Sequence, residues 1–148
     1  MGFSTSAAAA VIFVGALVSL GILYPATAGS FEQVNDALGD RENRLLDQRN
    51  TDLAVERVTY NETTDEVEID VSNVGTTTLT ANETDAMLDG SLQTSNVTRE
   101  VEGVAGRTLW APGETMTITI ENVSTAPGRV KVVTEHGVAA ATEDVEVR

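Results

Sequence analysis

The chain has 148 residues, a formal net charge of −14 at pH 7 and no cysteine. This length holds one ordinary domain beside a short additional segment, so there is no room for a second hydrophobic core. A surface this negative repels phosphates, which argues against nucleic-acid binding. The absence of cysteine excludes disulfides and thiol redox chemistry.

The charged residues indicate adaptation to concentrated salt. Lys131 is the single lysine beside eight arginines, and acidic residues outnumber basic ones by 23 to 9. Self-repulsion in so acidic a chain is screened in concentrated salt, where the Debye length falls to about 3 Å at 1 M. This usage, rich in threonine and valine, is typical of a halophilic protein. An acidic protein from a low-salt environment is the alternative.

The first predicted element is a membrane-spanning helix. Residues 7–24 read AAAAVIFVGALVSLGILY, and no charged side chain precedes Glu32. At about 1.5 Å per residue, this run spans most of a hydrocarbon core about 30 Å thick. We therefore assign residues 1–25 to a transmembrane helix.

Two other interpretations of this segment need weighing. A cleaved secretory signal would use the small-x-small site Ala26-Thr27-Ala28, but the basic residues that normally precede its apolar core are missing. Met1-Gly2 followed by Ser6 fits the loose pattern of N-myristoylation. A halophilic prokaryote would not use that modification, so a retained helix is the better interpretation.

An amphipathic helix is predicted over residues 26–50. Four apolar residues recur there at steps of three, four and seven between charged side chains: Phe31, Val34, Leu38 and Leu45. This narrow apolar stripe is typical of a helix that pairs with one partner helix, and packing on the β-domain of the same chain is the alternative. Pro25 either kinks the helix or marks its exit from the membrane.

From residue 51 to residue 148 the apolar pattern changes to a period of two. Alternation of apolar and polar side chains predicts strands at 67–71, 116–120 and 130–132. Further strands are predicted at 53–60, 76–80, 85–88, 96–102 and 138–147. Seven or eight short strands separated by turn residues indicate an antiparallel two-sheet sandwich.

Two turns in this region are more specific than the rest. Asn73-Val74-Gly75-Thr76 ends one predicted strand, and Pro112-Gly113-Glu114 begins another. Together they resemble the pattern of immunoglobulin-like adhesion and surface domains of archaea. The expected fold class is therefore mainly β: an N-terminal transmembrane and amphipathic helix followed by an immunoglobulin-like antiparallel β-sandwich. Trp110, just before the second turn, is expected to pack at the end of the sandwich.

The orientation of the chain in the membrane rests on possible N-glycosylation sites. Positive flanking charge gives no answer, because no lysine or arginine precedes Arg41. Four N-x-S/T sequons occur in the β-domain, at Asn61, Asn82, Asn96 and Asn122. Threonine-rich strands also create sequons by chance, but the excess favours a domain outside the cytoplasm, where N-glycosylation takes place.

Residues suited to catalysis are scarce. His136 is the single histidine and lies in a predicted turn without a cysteine as co-ligand, so neither a zinc site nor a catalytic triad is expected. The acidic residues 65, 66, 68 and 70 lack a glycine-containing ligand loop and are expected to form a solvated face. We predict a non-enzymatic protein with no catalytic residues, no cofactor and no metal site.

Three segments resemble the haloarchaeal archaellum stator protein F family (FlaF, also called ArlF). They are Met1–Ser6, Ile22–Ala26 and the stretch from Phe31 to Thr51, and the resemblance continues through the two turns described above. It implies a single-pass membrane protein whose β-domain lies between the membrane and the S-layer. That domain would bind S-layer protein and anchor the rotary motor, together with stator protein G and other motor components. The resemblance implies no catalytic residue.

A filament subunit, either an archaellin or a type IV pilin-like protein, is the alternative. It too joins an apolar N-terminal helix to a β-sandwich, and its precursors resemble one another in a short charged leader ending in glycine. Here only Met1 precedes Gly2-Phe3, and Ala7 stands where many pilins have glutamate. We therefore expect the stator subunit. The sequence leaves open whether the domain forms a homodimer.

Overall fold

The computed structural model describes the backbone of residues 3–148 and the side chains of residues 5–22 and 34–148. The chain divides into two units, Met1–Asn43 and Arg44–Arg148. A single helix, α1 (Phe3–Asn50), runs through the first unit and ends in the second. Pro25 lies within this helix and does not end it.

The first unit contains one helical segment that is long and apolar enough to cross a membrane, Thr5–Ile22. Its side chains are exposed along the whole segment, as Phe13 (66% exposed) and Ile12 (74% exposed) illustrate. An apolar helical segment with exposed side chains needs lipid or another protein around it. The segment falls within the residues to which the sequence analysis assigns a transmembrane helix.

The second unit is mainly β. Residues 3–148 hold twelve strands: β1 (Leu53–Asn61), β2 (Glu66–Asn73), β3 (Leu79–Thr80), β4 (Asp85–Leu88), β5 (Ser91–Gln93), β6 (Val97–Val101), β7 (Val104–Ala105), β8 (Leu109–Trp110), β9 (Thr115–Glu121), β10 (Val130–Val133), β11 (Ala139–Thr142) and β12 (Glu146–Val147). Several of them have only two or three residues, too few for an alternating pattern to show. The sequence therefore predicted fewer strands.

The strands form two sheets and a short ribbon. Sheet 1 has the order β12-β1-β2-β9-β6-β7, sheet 2 has the order β11-β10-β4-β5, and β3 pairs with β8 in the ribbon. Neighbouring strands are antiparallel, except that β12 runs parallel to β1 with Glu146 opposite Thr59. With this exception, the expected class of an N-terminal helix followed by an immunoglobulin-like antiparallel sandwich is confirmed.

The hydrophobic core is a single cluster to which both sheets and the ribbon contribute. Alternate residues of the central strands point inward, so the period of two in the sequence becomes one buried face of each sheet. Among its members that are less than 2% exposed, the largest side chains are Trp110, Ile69, Leu79, Met116, Ile118, Ile120, Val58, Val67, Val71, Val101, Val130 and Val132. Aromatic residues are few, so aliphatic packing holds the sandwich together.

The joint between helix and sandwich as candidate functional site

The two turns that distinguish the sequence lie against each other in the structure. The amide of Asn73 donates to the carbonyl of Glu114 at 3.0 Å, and the amide of Gly113 donates to the carbonyl of Asn73 at 2.7 Å. These bonds extend the pairing of β2 with β9 beyond the last register pair, Ser72 with Thr115. Two turns that are distant in the sequence therefore form one structural unit at one end of sheet 1.

The first of these turns also holds the C-terminal end of α1. The amides of Thr76 and Thr77 both donate to the carbonyl of Asn50, at 2.8 and 3.3 Å. The hydroxyl of Thr51 donates to the carbonyl of Asp47 at 2.7 Å. The last carbonyls of a helix have no partner within the helix, and here backbone amides of the sandwich satisfy one of them. We call the hydrogen-bonded contact of residues 47–52 with residues 73–77 the joint.

Gly75 stands where two backbones approach most closely. Its amide and that of Val74 both donate to the carbonyl of Asp52 at 3.1 Å. A Cβ atom at position 75 would lie 2.5 Å from the carbonyl oxygen of Asn50 and 2.6 Å from the amide nitrogen of Asp52. Both contacts are with backbone, which cannot rotate away as a side chain can. Glycine is therefore the residue that this approach requires.

Asn73 ties the joint to the core from inside. The residue is 0% exposed, and its Nδ2 donates to the carbonyls of Thr77 and Trp110, at 2.9 and 3.2 Å. Its Oδ1 accepts from the amide of Gly75 at 3.2 Å. A buried carboxamide costs free energy unless such partners are present. Trp110 is likewise 0% exposed and donates its indole N–H to the carbonyl of Glu114 at 2.7 Å, which confirms that it is a packing residue.

The carboxylate of Glu114 organises the second turn. Its Oε2 accepts from the amide of Ala111 at 2.8 Å, and its Oε1 accepts from the guanidinium of Arg107 at 2.6 Å. The hydrogen bond from Ala111, and after it the one from Arg107, hold the pKa of Glu114 below its ordinary value of 4.5, against the opposing effect of burial. The ionised carboxylate thus stabilises the turn that carries the joint.

The last turns of α1 have a second contact with the sandwich. The Nε2 of Gln48 donates to the carbonyl of His136 at 3.1 Å. Glu135, beside it, accepts from the amide of Thr80 at 2.8 Å. A hollow of about 220 Å³ lies here, lined in part by Leu45 and His136. His136 is a turn residue, and its backbone carbonyl makes this contact.

The acidic residues near the β1–β2 turn form no common ligand set. Arg57 lies across two of them and donates to Asp70 at 2.8 Å, with Glu68 at 3.5 Å. Asp70 also accepts from the hydroxyl of Thr117 at 2.8 Å, so it is more strongly held than the expected solvated face implies. Among the residues that the structure describes, no group of three or more His, Cys, Asp or Glu is placed to hold a metal ion.

The sequon asparagines lie mainly at the end of sheet 1 opposite the joint. Asn96 and Asn122 are exposed and close to each other, because the amide of Glu121 donates to the carbonyl of Asn96 at 3.0 Å. Asn61 lies at the same end but is half-buried, and its Oδ1 accepts from backbone amides of the β1–β2 turn. Asn82 is exposed in a 3-10 turn, Ala81–Glu83.

The apolar stripe predicted on the amphipathic helix is exposed where the structure describes it. Val34, Leu38 and Leu45 are 55%, 57% and 50% exposed. The side chain of Phe31 lies outside the described residues. The sequence analysis did not foresee the joint. Its one available signal was the glycine two residues after Asn73, next to the end of a strand.

A helix fixed by its end to a β-sandwich defines a helix-anchored, mainly-β protein. The sequence model of archaeal-type flagellin matches residues 2–143. The chain belongs to the archaeal-type flagellin family, and its role is related to the archaellum. The stator protein F family belongs to the same archaellin-like group, so the resemblance found in the sequence is confirmed at this level.

Three solved structures that are similar to this chain have low TM-scores. The ligand-binding region of serine-glutamate repeat protein A of Enterococcus faecium has a TM-score of 0.41 at 20% identity, covering 67% of this chain and 97% of that chain. The CARDB domain of a Pyrococcus furiosus protein, in complex with di-metal ions, has a TM-score of 0.29 at 18% identity, covering 66% of this chain and 89% of that chain. The periplasmic chaperone SfaE has a TM-score of 0.32 at 15% identity, covering 66% of this chain and 56% of that chain. The comparison with curated proteins finds no match.

Replacing Gly75 by alanine should open the joint. The added Cβ forces the backbones of Asn50 and Asp52 away, so the free energy of unfolding should fall by about 1–3 kcal/mol, as for other overpacked sites. Gly128→Ala is the matched control, because a Cβ there meets only the Asp89 side chain, at 3.4 Å. Thermal unfolding of the full chain in detergent and molar salt measures both. Equal midpoints for the two variants would show that the approach at Gly75 is not a constraint.

Replacing Glu114 by glutamine should change how the stability of the folded chain depends on pH. Because the pKa of Glu114 is lowered on folding, its stabilisation is complete above the ordinary value of 4.5 and is lost as pH falls through the lowered folded value. The unaltered chain should therefore be more stable than Glu114→Gln at pH 7 and lose this advantage in acid. Denaturant midpoints at both pH values measure the difference.

Arg107→Gln serves as the comparison for that experiment. The hydrogen bond from Ala111, which is the largest single cause of the lowered pKa, remains in this variant, while the hydrogen bond and the charge of Arg107 are lost. The variant should therefore keep part of the pH-dependent advantage. A Glu114→Gln chain that follows the unaltered chain at every pH would contradict the role assigned to the carboxylate.

Proposed function

We propose that this chain is a non-enzymatic stator subunit of the archaellum. The apolar helix anchors it in the membrane as a single-pass protein, and the sandwich lies outside the cytoplasm, beneath the S-layer. Binding of the sandwich to S-layer protein holds the motor against its own torque, together with stator protein G and other motor components. The sequons at Asn96 and Asn122 support this orientation, because both are exposed.

The observation that carries this proposal is the joint. A stator passes a reaction force from the membrane to a fixed lattice, and a flexible linker would dissipate that force in its own extension. Here the carbonyls of Asn50 and Asp52 accept four hydrogen bonds from amides of residues 74–77. The sandwich therefore begins directly at the end of the helix.

The family match also favours a second function, that of a filament subunit, because the matching family is named for flagellin. The helix beyond the membrane segment argues for the stator. A helix in the interior of a filament is surrounded by other helices and is apolar on most sides. Here Asp36 and Asp40 are exposed on α1 beside Leu38, which leaves one narrow apolar stripe.

Membrane fractionation of the producing cells, with intact-mass measurement, should separate the two functions. We expect the chain in the membrane fraction, absent from sheared surface filaments, and with its apolar helix retained. The same masses should show glycan on Asn96 or Asn122, and protease added to intact cells should reach the sandwich. Recovery of the chain in filaments, starting at Phe3, would show that it is a filament subunit and that the stator proposal is wrong.

We further propose that the apolar stripe of α1 pairs with a helix of stator protein G or another motor component. Leu38 lies at its centre, between Val34 and Leu45, and Phe31 lies about one turn before Val34. An exposed leucine gains free energy by pairing. A strip of this width suits one partner helix.

Leu38→Glu should weaken this pairing, because a carboxylate at the centre of the stripe must then be desolvated. Asn43→Glu adds the same charge to another face of the helix and should have little effect. Co-purification of motor components with a tagged full chain measures both variants. Equal recovery of motor components with both variants would show that the stripe does not pair with them. It would not affect the proposal of a membrane anchor.

A further inference from the structure

The outer face of sheet 1 is acidic and hydroxylated. The strand register aligns Glu68 of β2 with Thr119 of β9 and Thr98 of β6. The next row aligns Asp70, Thr117 and Glu100. We call this the acidic face. Arg57 of β1 lies in these rows and is paired with Asp70 and Glu68. Such a surface binds water and salt strongly.

The outer face of sheet 2 has the opposite character. One row across its four strands consists of Leu92, Met87, Lys131 and Ala141. The neighbouring row contains Val133 and Ala139, with Asp85 at its margin. Leu92 is 50% exposed, and both alanines are exposed. We call this surface the apolar face.

The apolar face also carries the only lysine of the chain. Lys131 lies at its centre, and Arg129 precedes β10 at its rim. A hollow of about 240 Å³ is lined by Met87, Gly90 and these two cations. Acidic groups are present only around them: Asp85, Asp89 and Glu143. Lys131 thus lies in a row with apolar side chains, whereas Arg57 on the acidic face is paired with Glu68 and Asp70.

We propose that the apolar face is the docking surface for an acidic protein partner. This rests on the proposed function, in which that partner is the S-layer protein. Elsewhere, like charges on the two proteins would repel each other. Here the partner's carboxylates would meet Lys131 and Arg129, and its apolar groups would cover Met87 and Leu92. Concentrated salt screens the charges but leaves the apolar contact in force.

Two other occupants fit the face less well. A second copy related by a two-fold axis near its centre would place two Lys131 ammonium groups together, because each patch then meets itself. An anionic membrane is recruited by clusters of about four to eight basic residues. This face has Lys131 and Arg129 alone, among acidic neighbours.

Glutamate at the centre of the face should abolish docking. Ala141→Glu places a carboxylate beside Lys131 at an exposed position that supports no core contact, and we expect at least about tenfold weaker binding. Thr98→Glu makes the same kind of change on the acidic face and should stay within about twofold of the unaltered chain. The probe is S-layer sheet isolated from the same cells, with the full chain in detergent and molar salt.

The unaltered chain provides a test that no folding defect can confuse. Lys131 is the only side-chain amine of the chain, so acylation of this residue should be suppressed when the chain is bound to the isolated S-layer. A carbodiimide should also join it to a carboxylate of the sheet protein, and Lys131→Arg should bind but lose this cross-link. Full reactivity of Lys131 in the bound state, with normal binding of Ala141→Glu, would overturn the docking surface and leave the stator proposal standing.

The other outcomes separate the two proposals. If the unaltered chain fails to bind the sheets, the S-layer function fails and this partner with it. If Ala141→Glu instead abolishes self-association in sedimentation, or binding to vesicles of anionic lipid, the occupant is a second copy or a membrane, and the inference is wrong.

Discussion

The approach of two backbones at Gly75 is the constraint on which the rest of the structure depends. With no side chain at this position, the amides of residues 74–77 reach the carbonyls of Asn50 and Asp52. That contact decides where β1 begins, and Asn73 links it to the buried Trp110. A helix end, two turns and the core therefore share one set of hydrogen bonds, and a disturbance at any of them is felt at the others.

The sequence predicted the sandwich well because alternation is a property of single strands. β2 and β9 each bury every second residue over a length that is readable without knowledge of the fold. The joint could not be predicted, because its donors and acceptors are backbone groups that every residue type supplies. The two-residue strands β7 and β8 and the parallel pairing of β12 were missed for a related reason. They depend on which segments lie side by side, which pattern alone does not reveal.

The placement of charge was equally hidden in the sequence. Acidic residues are spread along the chain, and net charge alone suggests a uniformly negative surface. The strand register gathers Glu68, Asp70 and Glu100 on one sheet and leaves Lys131 at the centre of the other. The proposed docking surface is the one where Lys131 and Arg129 lie beside apolar side chains.

The same asymmetry bears on whether the chain anchors a motor or builds a filament. Filaments grow by heterologous contacts, in which one face of each copy meets a different face of the next. The charges of the apolar face would match the acidic face of another copy, but Met87 and Leu92 would then cover hydrated carboxylates. Burying these carboxylates against apolar side chains costs more free energy than their attraction to two cations supplies. A partner with its own apolar surface satisfies both requirements, which favours a lattice protein over a second copy.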